Sequence, residues 1–287
     1  MPVANLGEVK IYYEEHGRGD PVLLVLPSWW PCDTWKVVVV PELSRRYRTI
    51  IFDCRGTGRS SRPEGGYTVS QFGRDSIGLL DHLGVSKCHV VGFALGGTVA
   101  QAMAIERPEL FATLTMAATG PGEQLREGGL RKAVDDEERK IREQGFERYI
   151  RSHVENDSTA FSEAFYREHG ETVRALGQVL WEGQTRPEDL RGHHEARGTW
   201  DTIANAARVR VPTLVLVGSA DDVARGNSTP VSTARQLAGL VPGAELAVVP
   251  GARHIVFWDG TGAISCLEEF LARHSIAGVQ RAARPFR

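Results

Sequence analysis

Val90-Val91-Gly92-Phe93-Ala94-Leu95-Gly96-Gly97 is the stretch on which the reading of this chain turns. An apolar run ends in a Gly-x-Ala-x-Gly turn, and residues 95–107 then read as a helix stopped by Pro108. A strand that passes into a helix this tightly needs glycines around the central residue, because side chains there would collide with neighbouring backbone. Such a turn presents one side chain, here only the methyl of Ala94, to a cleft. It also aims the Leu95 amide and the positive end of the helix at the same place, which suits a developing negative charge.

Upstream, residues 8–16 read as a strand, and 21–26 as the continuous apolar run of a strand buried on both faces. Residues 49–52 lead into the glycine-marked loop Asp53-Cys54-Arg55-Gly56-Thr57-Gly58-Arg59-Ser60. Residues 70–83 carry helical periodicity through Phe72, Ile77, Leu80 and Leu83, and 88–91 return to strand. Downstream, 111–116, 211–217 and 246–249 supply more strands, and 262–273 the last helix. This alternation predicts an α/β fold: a mostly parallel, doubly wound sheet with helices on both faces.

Residues 120–208 break the alternation. A charge run at 135–140 accompanies Leu130, Val134, Ile141, Phe146 and Ile150 near helical spacing, which predicts an inserted helical lid with Phe161, Phe165 and Trp181 in its own core. The α/β core is then expected to comprise residues 1–119 and 209–287, and the basic residues beyond Ser275 a frayed, solvated tail.

Of 287 residues, 41% are hydrophobic and 24% charged, ordinary globular usage with enough apolar mass for a sizeable core. A net charge of -2 gives no field to gather nucleic acid or acidic lipid, so the expected partner is a small-molecule substrate, with no nucleic acid and no membrane. No apolar stretch approaches the ~18 residues of a membrane span. The first ten residues lack the basic-then-apolar pattern of an export signal, so a cytoplasmic monomer or homodimer is expected. Cys32, Cys54, Cys88 and Cys266 are scattered, as expected of buried free thiols and of no metal site. The adjacent His193 and His194 diverge on a helix and lack partner ligands at familiar spacing, which predicts a solvated or lid-lining role. The glycines around Gly96 do not follow a dinucleotide fingerprint, and no phosphate loop with lysine is present; no cofactor is expected.

From Glu8 to Arg273 the chain resembles the α/β-hydrolase superfamily of ester and lactone hydrolases. The turn around Ala94 resembles that family's nucleophile elbow, with alanine where the family places serine. Asp53-x-Arg55-Gly56-x-Gly58-x-Ser60 resembles the loop after the family's fourth strand, and Gly218-Ser219-Ala220-Asp221 the turn that presents its catalytic acid. His254, in Gly251-Ala252-Arg253-His254, falls where the family places its histidine, and the order of nucleophile position, acid and base is the family's order. The resemblance implies His254 as base, Asp221 as its orienter with Asp222 as rival, and Leu95 and Ser28 as oxyanion donors with Trp29 as the alternative to Ser28. The segment Leu26-Pro27-Ser28-Trp29-Trp30 departs from the family's His-Gly pattern. Trp29, Trp30 and Phe93 are the candidates to wall a pocket for an apolar or ring-bearing substrate.

Ala94 has three readings: a hydrolase whose serine was deliberately replaced, a lineage that lost turnover, or chemistry that needs only the base. Retention of both Asp221 and His254 favours the first, so the expectation is an ester or lactone hydrolase in an inactivated form. The alternatives are a cofactor-free lyase or oxygenase that uses the His–Asp base alone, and a non-catalytic small-molecule binder.

Overall fold

The computed structural model describes residues 2–26, 29–64, 66–121, 129–155, 160–183, 186–221, 231–259 and 262–276. Among these, one eight-stranded sheet runs in the order β1 (Val3–Asn5), β2 (Lys10–His16), β4 (Arg48–Phe52), β3 (Pro21–Val25), β5 (Cys88–Phe93), β6 (Phe111–Ala117), β7 (Thr213–Gly218), β8 (Glu245–Val249). The β1–β2 and β2–β4 pairs are antiparallel; every pairing from β4 through β8 is parallel. The strand order reverses between β3 and β5, so the crevice beyond their carboxyl ends is where such a sheet offers a binding site.

Successive strand residues alternate between two apolar cores. Leu23, Val25, Ile50, Phe52 and Val90 pack with α3 (Val69–His82), α4 (Leu95–Glu106) and α11 (Val231–Leu240). Val22, Leu24, Val91 and Phe93 pack on the other face with α1 (Asp33–Lys36), α2 (Val39–Leu43) and α12 (Ala263–Arg273). Both faces of the parallel strands are thus covered, which is why β3, β5, β6 and β7 are buried almost throughout and carry apolar residues on both faces rather than on one, with buried polar residues such as His89, Thr113 and Thr115 set among them.

Between β6 and β7 the chain is helical: α5 (Gly129–Gln144), α6 (Phe146–Glu155), α7 (Glu163–Glu168), α8 (Gly170–Glu182), α9 (Pro187–Arg197) and α10 (Thr202–Ala206). Ile150, Val154, Phe161, Leu176 and Leu180 of this insert join the same apolar cluster as Phe93 and Trp258. The insert also carries a buried polar knot. Glu137 of α5 accepts from the Tyr149 hydroxyl of α6 and lies 2.8 Å from His194 Nε2 of α9. Bonds that tie its C-terminal part to the sheet domain include Arg62 to Asp189 at 3.0 Å, Thr57 to His193 at 3.1 Å, and the Val69 amide to the Thr199 hydroxyl at 3.0 Å.

Several expectations are corrected. Strand β1 is too short to show a hydrophobic pattern and gave no signal; β2 begins at Lys10 rather than Glu8. His193 and His194 are buried rather than solvated, since they face opposite ways into packed surroundings: His193 stacks on Phe72 with ring centroids 5.1 Å apart, while His194 meets Glu137. Trp181 is 36% exposed and caps the insert at Phe146 instead of joining its core. Cys32, Cys54 and Cys88 are buried and free, but Cys266 is exposed on α12. Ser275 and Ile276 do not fray: the carboxylate of Asp20 accepts from the Ser275 hydroxyl at 3.0 Å and the Ile276 amide at 2.8 Å. Residues 277–287 lie outside the described residues.

Candidate active site

Ala94 occupies the sharp turn from β5 into α4, with φ 51° and ψ -118°. For a residue with a side chain this left-handed conformation costs roughly 1–3 kcal/mol and persists only where the surroundings enforce it. They do so by closeness. A Cβ on Gly92 would overlap the Gly96 carbonyl, and one on Gly96 would overlap the Val25 carbonyl at the end of β3. The elbow is further pinned by the Ala94 amide donating to the Ala117 carbonyl at 2.8 Å. A Cβ on Gly97 would overlap the buried Thr119 hydroxyl, a contact from the end of β6 that no sequence signal had marked. Leu95 is the first residue of α4, and a first-turn N–H has no partner within its own helix.

The acid and the base come from the ends of the next two strands. Gly218 closes β7 so tightly that a Cβ there would overlap the Ala252 carbonyl. The two loops then interlock: the Ser219 amide donates to Val249 and the Ala220 amide to Ala252, both at 2.9 Å, and the Gly251 amide donates to the Ser219 hydroxyl at 2.8 Å. Interlocking brings the Asp221 carboxylate to 3.0 Å from His254 Nδ1. Asp221 is buried, at 2% exposure, while the imidazole keeps 17%. A carboxylate at Nδ1 holds that nitrogen protonated and leaves Nε2 with the lone pair, the arrangement a general base needs. Asp222 lies outside the described residues.

The His254 ring packs against Phe93, the residue before Ala94, with centroids 5.5 Å apart. Behind Phe93 stands an aromatic array that includes Trp258 at 5.3 Å and Trp30 at 6.1 Å, with Trp29 edge-on to Trp30 at 6.1 Å. Trp29 and Trp30 are buried. Trp258, four residues after His254 and absent from the sequence-based site, is the centre of this array; it stacks on Trp35 at 4.8 Å and donates from Nε1 to the Thr34 carbonyl at 3.0 Å. The structure therefore brings together Phe93, Trp29, Trp30, Asp221 and His254 around the turn at Ala94; Ser28 lies outside the described residues.

None of the buried cysteines offers a reactive thiol. Burial pushes the Cys32 thiol well above its ordinary value, helped by the neighbouring Asp53 carboxylate, and burial likewise raises Cys54 and Cys88, the latter to about 12. All three stay protonated at neutral pH and are poor nucleophiles. Of the helices among the described residues, none is long and apolar enough to cross a membrane.

The family model of the α/β hydrolase fold matches residues 15–261, and the chain belongs to that family. Among its relatives, a 3-oxoadipate enol-lactonase of Acinetobacter baylyi is 31% identical over 75% of this chain and 78% of its own length. A putative carbamate hydrolase of Azorhizobium caulinodans is 34% identical, over 53% of this chain and only 56% of that protein. In structure, a thermophilic esterase from Thermogutta terrifontis superposes with a TM-score of 0.79 at 25% identity, covering 95% of this chain and 96% of the esterase.

Proposed function

We propose that this site is that of a carboxylic ester or lactone hydrolase working through an acyl-enzyme on residue 94, and that the chain as it stands, with Ala94, is a form in which that route is blocked. The observation that carries the reading is a strained alanine at 94 beside an intact Asp221–His254 pair. Strain costs stability, and a turn that presents only a methyl gains nothing chemical from it. With a serine there, His254 takes its proton as the hydroxyl attacks the acyl carbon, then returns it to the leaving alcohol; Asp221 holds the ring and stabilises its charged form. The Leu95 amide at the start of α4 and an amide of the segment after β3, Ser28 or Trp29, receive the oxyanion. Trp29, Trp30 and Phe93 favour an apolar or ring-bearing acyl group. Helices α5–α10 act as a lid over the cleft. The ester and lactone chemistry named for the relatives supports the same class.

The test is to install the hydroxyl. Ala94→Ser should become labelled by a fluorophosphonate and hydrolyse esters or lactones at least ~10⁴-fold faster than the parent, in line with what losing such a serine costs. Both gains should vanish on adding His254→Ala. Absence of labelling and turnover in a folded Ala94→Ser would sink the reading. Turnover by the Ala94 chain that is lost in His254→Ala would instead support base-only proton abstraction.

A further inference from the structure

The loop that follows β4 makes a set of contacts that the chemistry above leaves unused. Asp53 is fully buried, and its two carboxylate oxygens divide their work. Oδ1 accepts from the backbone amide of Cys32 at 2.7 Å. Oδ2 accepts from both the amide and Nε of Arg59, each at 2.9 Å. Gly58 is obligatory beside it, since a Cβ there would overlap Oδ2. Ser60 closes the loop by donating to the Asp53 carbonyl at 2.5 Å. The Arg59 guanidinium lies over the Tyr12 ring at 3.7 Å, bonds Asp33, and reaches Cys32 Sγ at 3.3 Å. Asp53 and Arg59 converge on residues 32 and 33, at the far end of the segment that leaves β3.

The described part of that segment, residues 29–32, lies beside the turn at Ala94, where Trp30 meets Phe93 with ring centroids 6.1 Å apart. At its end, Pro31 is pressed from above by Gly183 at the close of α8, where a Cβ would crowd the proline ring at 2.5 Å. From below, the single charge-assisted bond from Cys32 to Asp53 holds it. We infer that Asp53 is a positioning residue for the oxyanion site: through the Cys32 amide it fixes residues 29–32 and thereby the amide of Trp29, one of the two candidates for the second oxyanion donor. The inference rests on the acyl-enzyme reading and deepens it. Arg55, in the same loop, has a different task, a bidentate pair with Asp75 at 2.6 and 2.7 Å that joins the loop to α3 and touches neither residue 32 nor the crevice. It supplies a control in the same loop, an ion pair buried on both sides, where Arg59 stays partly exposed.

The experiment uses full-length Ala94→Ser with a 4-nitrophenyl ester. Adding Asp53→Asn leaves one acceptor oxygen for donors that used two: when that oxygen serves the Arg59 amide and Nε, the side-chain NH2 faces the Cys32 N–H and the anchor is released. We expect kcat to fall ~10–100-fold with KM within about twofold, somewhat less than outright removal of an oxyanion donor costs. Asp75→Asn should lower the melting temperature yet hold kcat within about threefold of the Ala94→Ser parent, because destabilisation away from the oxyanion site leaves transition-state binding intact. Cys32→Pro removes the amide hydrogen, together with the thiol that Arg59 touches, at a residue whose φ of -63° suits proline, and should reproduce the kcat loss, whereas Cys32→Ala, which loses the thiol alone, should not. The proline variant decides the matter where Asp53→Asn does not fold. A folded Asp53→Asn or Cys32→Pro with kcat near that of the parent overturns the inference, as does an equal kcat loss in Asp75→Asn. An inactive Ala94→Ser overturns the acyl-enzyme reading and this one with it, whereas an active Ala94→Ser indifferent to Asp53 overturns this one alone.

Discussion

The sheet domain and the helical insert hold their shapes by different means. Around the carboxyl ends of the strands, backbone meets backbone with no room for a side chain: Gly92 on Gly96, Gly96 on Val25, Gly218 on Ala252. In the insert, cohesion comes from side chains, an apolar cluster together with the polar knot of Glu137, Tyr149 and His194, and Arg197 acting on Glu137 and Tyr149 from close by. Contacts between backbones fix positions to a fraction of an ångström and tolerate no substitution, whereas side-chain contacts can be exchanged. A site that needs fixed geometry therefore stands on the first kind, and a region that must suit a variable ligand can be built from the second.

The largest effect that sharpens this contrast is at Gly96. Gly96→Val should destabilise the whole chain by about 4 kcal/mol or more, above the usual cost of overpacking because the obstacle is backbone, and chemical denaturation should show a single transition at lower denaturant. Next comes the insert. Glu137→Ala leaves the His194, Tyr149 and Arg197 groups without their shared carboxylate, at a cost of about 3 kcal/mol, with the loss confined to α5, α6 and α9. Hydrogen exchange should then quicken in those helices while β5 and β6 keep their protection; uniform loosening would mean that the two regions form one cooperative unit after all.

Acidification gives the smallest and most graded effect. Burial pulls the His193 imidazole down to about 3 and the His89 imidazole, on β5, down to about 4, from an unfolded value of 6.5. Both are neutral in the folded chain, and the unfolded chain takes up their protons once the pH drops below that value. Their stabilising effect is therefore complete above about pH 6.5 and is lost as pH falls toward 4, with a slope of about 1.4 kcal/mol per pH unit for each imidazole. Denaturation midpoints across this range should flatten by one proton's share in His193→Gln. An unchanged slope would show that the seam between insert and sheet does not titrate.

Much of the sheet was legible because parallel strands buried on both faces leave continuous apolar runs, and because glycines at close approaches cannot be anything else. The turn at Ala94, the acid turn at Gly218 and the histidine loop after β8 belong to that class. What stayed hidden were contacts between residues far apart in sequence whose types carry no local pattern. Trp258 reads as one more apolar residue until Trp35 and Thr34 meet it, and the Asp53 loop read as a family landmark with no task assigned. The histidine pair was only loosely placed for the same reason: two adjacent histidines read as solvated or lid-lining, and only Thr57, Phe72 and Glu137, distant in the chain, give them a buried home.

The left-handed backbone at residue 94 has a consequence for how such a chain can change over generations. Alanine and serine codons differ by a single base, and the turn already has the shape that a hydroxyl there requires, so acquiring the oxygen calls for no rearrangement elsewhere. On the acyl-enzyme proposal, silent and reactive versions of this molecule are neighbours in sequence space, separated by an atom rather than by a fold.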